Sequence, residues 1–322
     1  MLVTKQAVLR RFWYPVMPVE SLAAGPRRFT LLGDPLVLWL RGENDPAAAY
    51  IDAMELLPSD EQSRRQQDEV RCKAHYGMVW VALEDPLRDI FDIAEDGDPG
   101  FRRIQQFNEC WRTGALRLME NSFDTAHFAF VHKGTFGQFS QPKPEFFELN
   151  ETDYGFEAQT RLTINNPPQS HRITGTTDPT TKRFFKNQWH LPFNRRLGLE
   201  YPSGLHHIIY TCATPIDDRH IQVLQWLYRN DTEADCSAAE LNDWDRRVIM
   251  EDKDIMETVD ADAPVDVSRK DEVNMPSDRP GLIMRRRLLE LLREHGEDEV
   301  HGQARDPRPP LDTDEQEPGR AA

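Results

Sequence analysis

Glu120-Asn-Ser-Phe-Asp-Thr-Ala-His-Phe-Ala-Phe-Val-His132 decides how this chain is interpreted, because it places four polar groups in a mostly apolar segment. The four groups belong to Asn121, Asp124, His127 and His132. Polar side chains in such a setting cost free energy unless each has a partner. Two imidazoles, a carboxylate and an amide gathered in this way indicate a metal site.

The spacing of these groups limits how they can meet. Leu116 to Phe130 has helix-forming residues throughout and is apolar on more than one side, which predicts a largely buried helix. Asn121, Asp124 and His127 step by three residues and would share one side of it. His132 lies five residues after His127, so the helix must bulge or end between them if both imidazoles bind one metal ion. The alternative is that each histidine satisfies a local backbone carbonyl.

A second predicted helix, from Ala238 to Val259, offers a further ligand. Its apolar stripe consists of Leu241, Trp244, Val248, Ile255 and Val259. Asp252 lies on this stripe, whereas Glu251, Lys253 and Asp254 fall mostly off it. An ionised carboxylate on a buried face normally has a cation or a metal ion as its partner. An arginine of the final helix could provide a salt bridge, but the two histidines make a metal site the attractive interpretation.

Two histidines and one carboxylate are the facial triad of non-haem iron(II) oxygenases, which leaves the opposite positions of the metal open for oxygen and substrate. In this interpretation His127, His132 and Asp252 bind the iron. Asn121 lies near the metal as a weak ligand or an outer group, and Asp124 accepts the free N–H of a ligating histidine. A zinc hydrolase is the weaker alternative, because its usual His-Glu-x-x-His pattern is absent.

Composition excludes several other classes of function. The 322 residues include 39% hydrophobic and 29% charged residues, as expected for a globular protein. A net charge of -16 disfavours nucleic acid and anionic membranes as partners. No apolar run approaches the ~20 residues of a membrane-spanning helix. Met1 to Lys5 lacks the regions of a signal peptide, so we expect a cytoplasmic protein.

The cysteines indicate no disulfide framework. Cys72, Cys110, Cys212 and Cys236 are widely spaced and form no Cys-x-x-Cys pair. In a reducing compartment we expect four unpaired, partly buried thiols.

The remaining patterns predict an α+β fold. Near the N-terminus, two short strands flank the turn Gly33-Asp-Pro35, 42–49 is loop-like, 59–69 is a charged connection, and 70–83 is strand-like. An antiparallel sheet is predicted from the candidate strands 145–149, 155–164, 182–189, 198–201, 206–214 and 222–228. A last helix is predicted from about Pro280 to Leu292, and a disordered tail after Gly296.

The motif Asn121-x-x-Asp124-x-x-His127-x4-His132, followed by Gly-Thr in Lys133–Phe136, resembles the catalytic α subunit of Rieske-type non-haem iron oxygenases. Met250–Glu257 resembles the segment that supplies their third iron ligand. The similarity extends to 12–16, 31–39, 76–80 and 277–280 and therefore spans nearly the whole chain. The branch that it resembles most is the monooxygenases that demethylate aromatic or heteroaromatic O- and N-methyl groups.

This resemblance implies a helix-grip (START/Bet v1-like) antiparallel sheet with a long C-terminal helix for residues 104–295. The tail 296–322 is predicted from its charged, proline-rich composition. The resemblance implies Fe(2+) held by His127, His132 and Asp252, with Asn121 and Asp124 in supporting catalytic roles. It also implies O2 and a small aromatic substrate, a trimer or hexamer, and Asp124 as the bridge to a Rieske cluster on a neighbouring subunit.

One part of the family pattern is missing. A Rieske [2Fe–2S] cluster needs two cysteines and two histidines, arranged as Cys-x-His and then Cys-x-x-His. Residues 1–109 contain only Cys72 and His75, and these lie too late relative to Tyr76–Trp80. The ligand set is therefore incomplete, and residues 1–103 are predicted to be a truncated β remnant of the Rieske domain. We expect the cluster on a partner, either a Rieske-containing subunit or a reductase.

Two functions follow from this combination. The first is a catalytic oxygenase subunit that receives its electrons from an external Rieske protein. The second is a non-catalytic scaffold or ligand-binding subunit that keeps the fold. The aromatic residues near the triad are expected mainly in the core: Phe123, Phe128, Phe130, Phe136 and Phe139. His206 and His207 alternate in a predicted strand, so one of them faces a pocket and the other faces solvent.

Overall fold

The computed structural model describes residues 1–51, 69–270 and 272–302. They form an α+β fold with two antiparallel sheets and two long helices. None of the helices in these ranges is long and apolar enough to cross a membrane. No disulfide joins the four cysteines; Cys212 and Cys236 are buried, whereas Cys110 is exposed, contrary to the prediction of four partly buried thiols.

The N-terminal sheet has six strands in the order β1-β6-β5-β4-β3-β2. Their bounds are β1 Tyr14–Pro18, β2 Arg27–Leu31, β3 Asp34–Gly42, β4 Asp45–Tyr50, β5 Glu69–His75 and β6 Met78–Ala82. The segment 42–49, predicted as a loop, is mostly strand β4, because Ala47, Ala48 and Ala49 are buried in the sheet. The predicted charged connection lies, up to residue 68, outside the described residues.

The single strand predicted over 70–83 is a hairpin. The chain reverses at Tyr76 and Gly77, which both have positive φ, of 50° and 69°. This pair of left-handed residues forms the tight turn that suits a two-residue hairpin. A single Gly, without Asn, Asp or Pro beside it, was the only turn signal in this segment.

The second sheet has seven strands in the order β7-β13-β12-β11-β10-β9-β8, all antiparallel. Their bounds are β7 Arg102–Trp111, β8 Phe146–Glu151, β9 Gly155–Asn165, β10 Thr180–His190, β11 Asn194–Glu200, β12 His206–Pro215 and β13 Ile221–Arg229. The six predicted strands and their antiparallel order are confirmed. Strand β7 lies at one edge of the sheet and pairs with β13.

The helix predicted over 116–130 is two helices, α1 Ala115–Phe123 and α2 Phe128–Val131. Asp124 ends α1 in an extended conformation. Its carboxylate accepts the backbone N–H groups of Ala126 at 2.8 Å and His127 at 3.1 Å. Such a side chain competes with the helical hydrogen bonds, which explains the break.

Helices α3 His171–Thr174, α4 Ala238–Met256 and α5 Arg279–Glu294 follow, with short 3-10 turns at 3–5, 7–11, 19–22, 132–134, 168–170, 267–269 and 276–278. Helix α4 begins at a capping box formed by Ser237 and Glu240. Its buried face includes Leu241, Trp244 and Met256. The predicted stripe is wrong at its end, because Ile255 is 44% exposed and Val259 lies beyond the helix.

The predicted disordered tail does not begin at Gly296. Residues 297–302 are held against the N-terminus, where Leu2 N donates to Val300 O at 2.7 Å and Val8 N donates to Glu297 Oε1 at 2.7 Å. Residues 303–322 lie outside the described residues.

Candidate metal centre

Three side chains from two separate elements converge at one point. His127 precedes α2, His132 follows it, and Asp252 projects from α4. The Nε2 atoms of the two histidines are 3.2 Å apart. Asp252 Oδ1 lies 3.4 Å from Nε2 of His127 and 3.3 Å from Nε2 of His132. The three atoms therefore form a nearly equilateral triangle.

The other nitrogen of each imidazole faces a carboxylate. His127 Nδ1 lies 2.9 Å from Asp124 Oδ2, and His132 Nδ1 lies 2.9 Å from Glu251 Oε2. A carboxylate accepts hydrogen bonds, so each Nδ1 carries the proton in the neutral ring. Both Nε2 lone pairs then point at each other and at the Asp252 carboxylate.

Three electron-pair donors facing one another repel unless a cation lies between them. A hydrogen bond also fixes the orientation of the Asp252 carboxylate: Asn121 Nδ2 donates to its Oδ1 at 3.0 Å. Ligands about 2.1 Å from one metal ion and at right angles to each other lie about 3 Å apart. Tetrahedral ligands at the same distance from the metal lie about 3.4 Å apart. The observed separations of 3.2 to 3.4 Å lie between the two values and fit three neighbouring ligands of one metal ion.

The electrostatics of the bare site agree with this donor set. Burial lowers the pKa of His127, but hydrogen bonds and charge from Asp124 and Asp252 outweigh it and raise this pKa to about 9. Burial raises the pKa of Asp252, but the two histidines hold it below its usual value. The protein has therefore concentrated negative charge where a cation or a proton must reside.

All five residues singled out from the sequence lie together: Asn121, Asp124, His127, His132 and Asp252. The salt bridge considered as an alternative is not formed with Asp252. Arg285 of the last helix pairs instead with Glu120 and Glu272.

Sequence analysis missed Glu251, which it placed mostly off the buried stripe. Thr135 Oγ1 donates to Glu251 Oε2 at 2.7 Å, on the same oxygen that faces His132. In the sequence, only the position of Glu251 beside Asp252 indicated a role at this site. The packing of α4 against the 132–135 turn brings Glu251 to His132.

A cavity adjoins the three side chains. Its apolar walls include Phe128, Phe136, Phe185, Leu197, Ile209 and Trp244, and its polar lining residues include Arg183, Arg195, His207, Gln225 and Asp245. The cavity therefore combines apolar walls with several polar side chains, which could orient a bound ligand.

The aromatic residues near the triad divide into three groups. Phe128 and Phe136 line the cavity, and Phe123 is buried against Phe156. Phe130 and Phe139 are 58% and 70% exposed, so the expectation of core packing is wrong for these two.

The predicted alternation of the neighbouring histidines is present. His207 is buried and lines the cavity, whereas His206 lies on the other side of the strand beside Phe101.

The N-terminal sheet holds no cluster site within the described residues. Its cysteine and histidine, Cys72 and His75, lie three positions apart on strand β5. Side chains at an odd separation on a strand point to opposite faces of the sheet. The two side chains therefore cannot share one iron atom, and the Cys72-Lys-Ala-His75 sequence is a coincidental likeness.

Comparison with known families agrees with this geometry. The model of the vanillate O-demethylase oxygenase C-terminal domain matches residues 111–294, more than half of the chain. The chain belongs to this family. As a vanillate O-demethylase oxygenase family member, it is an enzyme, the α subunit of a Rieske-type oxygenase, and the family implies iron.

Full-length relatives extend the likeness to the N-terminal sheet. The methylxanthine N1-demethylase NdmA and N3-demethylase NdmB of Pseudomonas putida are each 24% identical over 90% of this chain and 91% of their own length. The NdmA structure superposes with a TM-score of 0.73, at 22% identity over 94% of this chain and 99% of that one. Dicamba monooxygenase bound to dicamba superposes with a TM-score of 0.72, at 15% identity over 90% and 99%. These superpositions show a common fold for this oxygenase family member.

Proposed function

We propose that this chain is the catalytic subunit of an oxygenase that binds one Fe(2+) through His127, His132 and Asp252. With O2 it would demethylate or hydroxylate a small aromatic or heteroaromatic molecule. The observation that carries the proposal is the triangle of three potential donor atoms at the wall of the cavity. The demethylases and the monooxygenase among its relatives support the reaction class.

Iron in this position would supply the binding and activation of oxygen. The chain's own residues do the remaining work. Asp124 and Glu251 fix the two imidazoles in the tautomer that exposes Nε2, and Asn121 fixes the Asp252 carboxylate. Phe128 and Phe136 surround the histidines with apolar surface and limit the access of water.

Electrons must come from outside this chain in the proposed reaction. Residues 1–109 lack a full set of cluster ligands. The Asp124 side chain is 27% exposed, twice the 13% of His127, so it is the more accessible member of that pair. We propose that a Rieske [2Fe–2S] centre of a partner subunit or reductase approaches at Asp124, within a trimer or hexamer.

The division of the chain is part of the same proposal. Residues 1–103 are a Rieske-like sheet without its cluster, and 104–295 are the iron-binding domain. The seven-stranded sheet with α4 packed on it supports a helix-grip arrangement, since Leu241 and Trp244 of α4 share a core with Leu197 and Leu227 of the sheet.

Metal analysis with an optical and EPR spectrum of the purified protein tests the proposal. About one iron per chain and no [2Fe–2S] absorbance are expected, together with formaldehyde release from N-methylxanthines or methoxyaromatics only when a Rieske-containing reductase is added. A stable Rieske EPR signal from the reconstituted chain, or a chain that binds no iron, would contradict the proposal.

A matched pair of variants separates catalysis from a scaffold role. His127→Ala should abolish formaldehyde release, whereas His295→Ala, an exposed position at the end of α5, should leave it unchanged. Turnover by an assembled complex that contains the His127→Ala chain would favour the scaffold alternative.

A further inference from the structure

A second, smaller pocket meets the cavity at two phenyl rings. Phe128 and Phe136 line both spaces. The inner part of the small pocket is lined by buried apolar side chains of α2 and β9, namely Ala129, Leu162 and Ile164. Its outer part is formed by the exposed residues Gln141 and Pro142, so the pocket opens at the protein surface.

The same two rings are apolar neighbours of the triad histidines. The ring centre of Phe128 lies 4.8 Å from that of His127 and 5.6 Å from that of His132. Phe136 stacks on His132 with ring centres 4.6 Å apart. Both histidines line the cavity, and neither lines the small pocket. One layer of phenyl rings therefore lies between the small pocket and the two imidazoles.

The two rings differ in how firmly they are held. They meet edge to face, with centres 5.2 Å apart and planes at 81°. Phe136 is buried, and the N–H groups on either side of it, of Thr135 and Gly137, donate to His132 O at 3.0 and 2.8 Å. Phe128 is only partly buried, and such side chains reorient rapidly. A small rotation of Phe128 is therefore the easiest way to open a gap, which admits a diatomic molecule rather than an aromatic ring.

The lining of the small pocket favours an apolar occupant. Water and ions lose hydrogen bonds in a narrow apolar space, whereas an apolar gas does not, and dry apolar cavities in proteins bind xenon. A different surface pocket meets the cavity at Asn121. Its lining is rich in charged side chains, namely Arg117, Glu120, Asp124, Glu272 and Arg285. That pocket suits water and ions, so the pocket at the two rings is the better match to dioxygen.

We propose that dioxygen enters through the small pocket and passes between Phe128 and Phe136 to the triad, by a route separate from that of the organic ligand. This inference rests on the proposed function, because dioxygen is a reactant of that reaction and the iron is its destination. Leu162 sets the width of the pocket from β9. It is 4% exposed and lines the small pocket but not the cavity. The route can therefore be altered at Leu162 without changing a residue of the triad.

The occupancy of the pocket by dioxygen is measured on the iron-free wild-type protein. Dissolved dioxygen is paramagnetic, so it accelerates the NMR relaxation of nearby methyl groups relative to the same pressure of nitrogen. The enhancement for Leu162 and Ile164 should exceed that for Leu83 by about 3- to 10-fold. Leu83 is the matched comparison, because it is 6% exposed and lines neither the pocket nor the cavity. An equal or smaller enhancement at Leu162 and Ile164 would overturn the proposal.

Passage to the triad is measured with nitric oxide, a diatomic substitute for dioxygen, by anaerobic stopped-flow mixing with iron(II)-loaded protein. Leu162→Phe narrows the pocket and should slow association by about 3- to 10-fold, whereas Leu162→Ala widens it and should accelerate association. Leu224→Ala is the control, because Leu224 is buried on the opposite face of the same sheet, and its rate should equal that of the wild type.

Association rates that are unchanged in both Leu162 variants would overturn the route even if dioxygen occupies the pocket. Equal changes in Leu224→Ala would overturn it as well, because they would show a general effect of a core substitution. The relaxation measurement uses the wild-type protein, so it remains decisive if a Leu162 variant does not fold.

Failure of the route and failure of the proposed function give different results. Iron that binds nitric oxide at rates insensitive to residue 162, together with formaldehyde release, would overturn the route and leave the oxygenase reaction intact. Rates that follow the size of residue 162, without formaldehyde release under any electron supply, would count against the reaction and leave the route intact. A chain that binds no iron would contradict both, because the route would have no destination.

Discussion

Glu251 Oε2 lies 2.9 Å from His132 Nδ1, which repeats on the second histidine the contact that Asp124 makes with His127. Glu251 and Asp252 are adjacent in α4, yet they face opposite nitrogens of the same imidazole. One turn of helix therefore fixes both the orientation of His132 and the third donor atom.

Replacing Glu251 by Gln should weaken iron binding by about 10- to 100-fold, because the hydrogen bond that orients and polarises His132 is lost or reversed. Equilibrium titration of the apoprotein with Fe(2+) under anaerobic conditions measures the change. Asp254→Asn, on the exposed face of the same helix, is the control and should bind iron normally. Unchanged affinity in Glu251→Gln would show that the carboxylate does not support the ligand.

Replacing Asp252 by Ala should uncouple thermal stability from iron. Iron binds the folded wild-type protein, so free metal at a hundred times its dissociation constant should stabilise it by about 2.7 kcal/mol. The variant lacks one of three donors and should show no such rise in melting temperature. Differential scanning fluorimetry with and without Fe(2+) measures the difference, and an equal rise in both proteins would argue against Asp252 as a ligand.

Replacing Arg285 by Met should destabilise the fold by about 1 to 3 kcal/mol. Arg285 is 4% exposed and pairs with Glu120 of α1 and with Glu272, so its removal leaves these two partly buried carboxylates with Arg117 as their remaining cation. Urea unfolding measures the decrease in the free energy of unfolding. The exposed Arg286, which pairs with Glu151, is the control and should contribute less than about 1 kcal/mol. Similar losses in both variants would contradict this assignment.

His190 should make stability depend on pH between about 6.5 and 4. The ring stacks between Phe91 and Tyr154, and burial, helped by the charge of Arg196, lowers its pKa to about 4. The unfolded chain takes up this proton at the ordinary pKa near 6.5. Between these values the unfolded state binds more protons, so the free energy of unfolding falls as the pH is lowered, by at most about 3 kcal/mol.

His190→Phe keeps a ring between the two neighbours but cannot titrate. Urea unfolding at several pH values should therefore show a wild-type stability that declines more steeply than that of the variant below pH 6.5. The contributions of all other groups are shared and cancel in this difference. Parallel curves for the two proteins would contradict a depressed pKa at His190.

The sequence predicted the second sheet well because its strands are alternating or continuous apolar runs bounded by turn residues, which are local properties. It also singled out three residues whose side chains meet in the structure, since Asp252 on an apolar stripe and two histidines in an apolar segment are anomalies visible without a structure. Strand β4 was missed because its small buried alanines resemble a loop in composition. The break at Asp124 was missed because Asp124 fitted the three-residue steps of one helix.

The sequence by itself determined which donor atoms are available: two imidazoles, one carboxylate on a buried helical face, and no second cysteine before Cys110 with which to hold a cluster. Only the tertiary structure decided which atoms meet. Glu251 reaches His132 across 119 residues of chain. Local periodicity specifies the side of an element on which a residue lies, whereas the partner on that side depends on how distant elements pack.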